Sequence, residues 1–175
     1  MKLPKLTVVD TNVPKIANLS SDPDKIPDGL IDCVSNCVEA IDLVVKNESL
    51  VLDEGDEIFE EYRRQLSLSG QPGIGDSFIR WIHDYRYKLP ESSRVPLTKS
   101  GDSYREFPIH PDLCNFDPSD RKFIAVANAH PEKPPILQAT DSKWWGLKNE
   151  LEEVGIKVVF LCPNYVEIKY KQKFR

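Results

Sequence analysis

Apolar residues follow two rhythms along the chain. Uninterrupted runs at 5–10 (KLTVVD), 49–53 (SLVLD), 134–140 (PPILQAT) and 156–162 (IKVVFLC) predict strands buried on both faces. Elsewhere apolar positions recur at steps of three and four. Leu30, Val34, Cys37, Ile41 and Val44 mark an amphipathic helix from Asp28 to Lys46, with Asp28-Gly29 as its start. DEIFEEYRRQL (56–66) and GDSFIRWIHDYRYK (75–88) predict two more helices. Asp117-Pro118-Ser119-Asp120 offers a cap, a proline for the first turn and an acid at the third helical position, so a helix is expected to start there and continue through FIAVANAH. DSKWWGLKNELEEVG (141–155) predicts another, ending at Gly155. The first strand is expected to open into a loop at Thr11-Asn12-Val13-Pro14. Strands alternating with helices predict an α/β fold, a three-layer α/β/α sandwich with a central, mostly parallel sheet.

The length of 175 residues suits one domain over 1–175. Of its 14 prolines, many crowd residues 88–135, where periodicity fades, and a loop-rich insertion is expected around 67–115. No apolar run approaches the ~20 residues of a membrane span, and the opening MKLPKLTVVD lacks the apolar stretch of a secretory leader, so a cytoplasmic protein with no membrane partner is expected. Cys33, Cys37, Cys114 and Cys162 have neither paired CxxC spacing nor a histidine pattern, which predicts reduced, mostly buried thiols.

The net charge of −5 is unevenly spread. Removing the four cations of the last seven residues, KYKQKFR, leaves −9 for residues 1–168. In that basic tail, 168–175, cations alternate with Ile168, Tyr170 and Phe174, as in an edge strand with a basic outer face or an arm that grips phosphates.

Sites in open parallel sheets gather beyond the carboxyl ends of the strands. Asp10 closes the first strand and Asp141 follows ILQAT. At about 100° per residue, Asp120 falls on the apolar arc of Phe123, Ile124 and Ala127, and Glu61 lies nearer than Glu57 or Glu60 to the arc of its own helix. Singly, Asp10 reads equally as a strand terminator, and Asp117 with Asp120 as a capping pair. Together, converging carboxylates repel by about 4 kcal/mol per pair at ~4 Å and an effective dielectric of ~20, so they call for a cation or shared protons. An all-oxygen set suits Mg²⁺ or Mn²⁺ better than zinc, and such ions serve phosphodiester hydrolysis.

The segments VVDTNV (8–13), LDEGDEIFEEYRRQL (52–66), FDPSDRKFIAVANAH (116–130) and ILQATDSKWW (136–145) together resemble the PIN-domain nucleases, and the FEEYRR helix resembles prokaryotic toxin-like members. The resemblance implies a Mg²⁺- or Mn²⁺-dependent endoribonuclease that leaves a 5′-phosphate and a 3′-hydroxyl. It implies that Asp10, Glu61, Asp120 and Asp141 are catalytic and hold the metal, with Asp117 an additional or supporting ligand and Asn12 and Thr140 polar supports. RNA is the implied substrate, an antitoxin or regulatory protein the implied partner, and a homodimer the implied assembly. Toxin, anti-phage and RNA-processing roles stay open. The stretch 67–115 is longer than in compact toxin members, and SKWW follows Asp141 where a short acidic or apolar link is expected.

Lys122, Lys143, Arg63 and Arg64 are candidates for RNA contact, although each alone reads as a solvated cation. Trp144 and Trp145 offer base stacking, with a core anchor the commoner role for one of such a pair. His83, His110 and His130 form no metal spacing. A haloacid dehalogenase-like phosphatase would need an acid two residues after Asp10, where Asn12 stands. A non-enzymatic reading remains, an inactive PIN-like module that binds RNA or protein.

Overall fold

The structure, a computed structural model, describes residues 1–174 and is mixed α/β. Strand β1 (Val8–Val9) pairs in parallel with β6 (Ile136–Gln138), and β6 with β7 (Val158–Phe160). On the other side of β1 the chain before β2 (Leu52–Asp53) runs alongside it: the Thr7 N–H donates to the Ser49 carbonyl and the Val51 N–H to the Thr7 carbonyl, each at 2.8 Å. A further strand, β3 (Arg94–Val95), extends β2 in parallel. The spatial order is therefore β3, β2, β1, β6, β7. Chain order runs outward from β1 in one direction and then restarts at β6 on the other side, which puts the switch of direction between β1 and β6. Val8, Val9, Ile136 and Leu137 are fully buried, as strands covered on both faces must be, whereas β7 is only half-buried.

Helix α1 (Asn12–Asn18) replaces the loop expected after the first strand. Pro14 stands in its first turn, where the missing N–H costs no hydrogen bond. Helices α2 (Ile31–Lys46) and α3 (Glu57–Gln65) fall where the apolar steps put them. The helix α4 (Ile74–Tyr85) packs against α1 so closely that a Cβ on Gly75 would lie 2.0 Å from the Pro14 carbonyl oxygen. Asp76 fastens this junction by accepting hydrogen bonds from Asn18, Ser67 and Gly73.

The region 67–115 is loop-rich but not structureless. Besides α4 and β3 it holds an antiparallel hairpin, β4 (Lys99–Ser100) with β5 (Ser103–Tyr104). Arg121 ties its far end down, bonding to the carbonyls of Cys114 and Phe116 and to Asp102. Helix α5 (Arg121–Ala129) begins later than expected, because the Asp117 carboxylate accepts the Ser119 N–H and so closes a turn of its own. The helix expected over 141–155 is two pieces, α6 (Ser142–Gly146) and α7 (Lys148–Glu153).

Two further expectations are overturned. The basic tail is no strand: it forms helix α8 (Pro163–Lys173), started by Pro163, and the last cation, Arg175, lies outside the described residues. Nor are all thiols reduced, since Cys33 in the first turn of α2 is disulfide-bonded to Cys162 at the start of α8. Their sequence separation of 129 hid a proximity created by the fold; Cys37 is a buried free thiol and Cys114 an exposed one. Among the described residues, no helix is long and apolar enough to cross a membrane.

Candidate functional site

The carboxyl ends of β1 and β6 meet at the switch between them, where a crevice is expected in such sheets. Asp10 follows β1 directly and is 1% exposed. Its Oδ1 accepts the Asn12 backbone N–H at 2.9 Å, so the first turn of α1 aims the carboxylate. Burial, then the nearby Asp120, pushes its pKa up to about 8, and Glu61 adds to the rise. The same burial and repulsion raise Asp120 to about 6, with Asp141, Asp117 and Glu61 as the charged neighbours. Five carboxylates thus influence one another at one edge of the sheet.

Glu61 reaches the edge because α3 is docked at both ends. Asp53, buried at the end of β2, accepts the N–H groups of Glu57 and Ile58 at 2.7 and 2.9 Å. Tyr62, fully buried, donates its hydroxyl to the Val9 carbonyl. With the helix so turned, Glu61 Oε1 accepts the Thr11 hydroxyl at 2.6 Å, while Glu60 faces outward and pairs with Arg63 at 3.1 Å. Arg64 is exposed, and neither arginine bonds to the acids.

Asp120 is held from the other side by Trp144, whose indole N–H lies 3.4 Å from Oδ2. Asp141 caps α6, accepting the Lys143 N–H at 2.9 Å through Oδ1. Asn12, Thr140 and Asp141 line one wall of a cavity of about 420 Å³. Asp117 is the most engaged of the acids: Oδ1 takes the Ser119 hydroxyl at 2.8 Å and Oδ2 the Lys143 ammonium at 3.1 Å. The Ser119 bonds, then Lys143, hold its pKa below the usual carboxylate range. It is the acid least free to take a ligand.

One participant, Thr11, escaped the sequence reading, and two that it named, Lys122 and Trp144, have other roles. Lys122 is no solvated cation: its side chain is 10% exposed, and its ammonium pairs with Glu61 and donates to the Ser119 carbonyl. Thr11 orients Glu61, and Trp144 orients Asp120 from the core, packed edge-on against Phe116. Trp145 instead meets Phe160 of β7, with Lys148 over its ring, and gives no support to stacking at the acids. His130 is buried against the Ser92 carbonyl, and His83 and His110 pair with Asp84 and Glu153.

The donor set fits a hard divalent cation in type, being all oxygen around a buried, mutually repelling core. In spacing it is open. Among the described residues, the one group of three candidate ligands with atoms within 4.8 Å of one another is Cys33, Cys37 and Cys162, two of which are already joined. Lys122 supplies part of the positive charge that the acids call for. Comparison of the chain with protein families, with curated proteins and with solved structures finds no match.

Proposed function

We propose that the chain is a PIN-like, three-layer α/β/α endoribonuclease that depends on Mg²⁺ or Mn²⁺, with Asp10, Glu61, Asp120 and Asp141 as the residues that would hold the ion. The observation that carries this reading is the convergence of these acids on the switch point of a parallel sheet, with Asp10 fully buried and raised to about 8 by burial and by its acidic neighbours. A buried carboxylate kept among like charges costs stability unless it is protonated, and a bound cation offsets the cost with the acids ionised.

When bound, such an ion polarises a phosphate and eases deprotonation of water at neutral pH. The chain's own residues supply placement. Thr11 and the Asn12 N–H fix Glu61 and Asp10. Asp120 is held by the Trp144 indole N–H on its Oδ2, and its Oδ1 accepts the Ser119 hydroxyl at 3.5 Å. In the hydrolysis, water oxygen bonds to phosphorus and the bond to the 3′ oxygen breaks. The proton removed from water is balanced by the one the leaving 3′ oxygen gains.

The test is incubation of end-labelled single-stranded RNA with the protein and Mn²⁺, beside an EDTA control and Asp120→Asn. Metal-dependent cleavage leaving 5′-phosphates, reduced about 100-fold or more in the variant, is expected from the loss of a charged ligand to the ion. Cleavage that persists in EDTA or in the variant contradicts the assignment. One observation favours a second reading, an inactive RNA- or protein-binding module: the buried Lys122–Glu61 pair already neutralises part of the cluster. That reading expects no cleavage by wild type in either metal.

A further inference from the structure

Helix α8 borders the acids on both sides. Its Tyr170 and Phe174, one turn apart with ring centroids at 4.9 Å, wall a cavity of about 340 Å³ that also touches Asp117, Asp120 and Gly146. The Tyr170 ring lies so close to α6 that a Cβ on Gly146 would sit 2.5 Å from it, so the aromatic wall is fixed against the segment that Asp141 caps. Lys169 and Lys173, also one turn apart, face the second cavity with Asn12, Thr140 and Asp141. Among the described residues neither lysine has a carboxylate within ion-pair distance, whereas Lys171 between them is paired with Glu167 at 2.7 Å. Phe174 is 59% exposed, so its ring is open to a ligand from solvent.

The two cavities differ in what they can accept. In the one lined by Asp117 and Asp120, Lys143 is already paired with Asp117 and leaves no free cation for a phosphate, but its aromatic wall suits the flat, uncharged face of a nucleobase, and its size lies within the ~300–1,000 Å³ of small-ligand pockets. The one lined by Lys169 and Lys173 suits backbone phosphate. We infer that α8 is the substrate-binding element of the site: single-stranded RNA crosses the start of α6 with one unstacked base against Tyr170 and Phe174 and its backbone on Lys169 and Lys173. This rests on the ribonuclease reading above and adds which element of the chain holds the strand; a base held in a duplex cannot enter the aromatic cavity.

The test is fluorescence anisotropy of a labelled, mixed-sequence single-stranded RNA titrated with the full chain in EDTA, across a salt series. Phe174→Ala is expected to weaken binding roughly 5- to 150-fold, the range that one lost base–aromatic stack produces, and Phe174→Tyr to keep it. The double variant Lys169→Ala with Lys173→Ala is expected to lower the slope of log affinity against log salt by about 1.4, at ~0.7 per phosphate released. Lys171→Ala should bind as wild type, and duplex RNA more weakly than the single strand. If wild type binds and cleaves RNA while the Phe174 and double-lysine variants do both equally well, the role of α8 is overturned and the ribonuclease reading stands. Equal affinity for duplex overturns the single-strand preference. If wild type neither binds nor, with Mn²⁺, cleaves RNA, both proposals fall.

Discussion

At the residue scale, the account turns on how one buried carboxylate is tolerated. Asp10 and Asp120 both have folded pKa values raised above the ordinary 3.8, to about 8 and about 6. A raised acid binds more protons folded than unfolded, so its contribution to stability is present below its unfolded pKa and is lost as pH rises through the folded value. In EDTA the melting temperature should therefore fall between about pH 4 and about pH 8, and Asp10→Asn should flatten that fall. A melting temperature that rises steadily over the same window in wild type would contradict the burial argument. Thr11→Val removes the hydroxyl that orients Glu61. It should weaken Mn²⁺ binding about 10- to 100-fold, as loss of an outer partner of a ligand does, with little change in the metal-free melting temperature. Calorimetric titration checks the first expectation and a melt in EDTA the second.

At the element scale, the placement of Glu61 depends on Asp53 and Tyr62 docking α3, and that of Asn12 on α1 packing against α4. Asp53→Ala leaves the Glu57 and Ile58 N–H groups without their acceptor, and should cost about 0.5–2 kcal/mol in urea unfolding. Gly75→Ala would force a methyl to within 2.0 Å of the Pro14 carbonyl, and should cost at least about 1–3 kcal/mol because backbone must yield. Both changes are expected to reduce cleavage beyond their stability cost, as each shifts an element that carries a site residue. Strands β1, β2 and β6 were legible because buried strands read as continuous apolar runs, β7 because its run is apolar although it is half-buried at the edge, and α2 and α3 because their apolar steps match the helical turn. Helix α1 was not, since a proline two residues past Asn12 looks like a break until it is known to stand in a first turn. The tail carries two periods at once: Lys169, Lys171 and Lys173 alternate as in a strand, yet Lys169 with Lys173 and Tyr170 with Phe174 also repeat at four. Pro163 at the helix start belongs with the second period, and the structure adopts it. Asp10, Glu61, Asp120 and Asp141 could be singled out because strand ends and helix arcs fix their direction. Thr11 could not, and Lys122 and Trp144 could be named but not given their roles, because what each does depends on contacts across the fold.

At the scale of the whole molecule, the site lies where halves of the chain distant in sequence meet. Asp10 and Glu61 come from the first part, Asp120 and Asp141 from the last, and α8 closes over them beside α6. The Cys33–Cys162 disulfide links the same two parts across 129 residues. A cross-link of that span restricts the unfolded chain strongly, so reduction should lower stability by about 2–4 kcal/mol, measured as urea midpoints with and without reductant. An unchanged midpoint would show that the link adds nothing to the packing between α2 and the start of α8.

The most direct measurement of the central claim, that the acids at the ends of β1 and β6 form one divalent-cation site, is Mn²⁺ binding by titration calorimetry to wild type, Asp10→Asn and Asp120→Asn at neutral pH. The account predicts saturable binding by wild type that each variant weakens at least tenfold. Equal binding by all three proteins, or none by wild type, would contradict it.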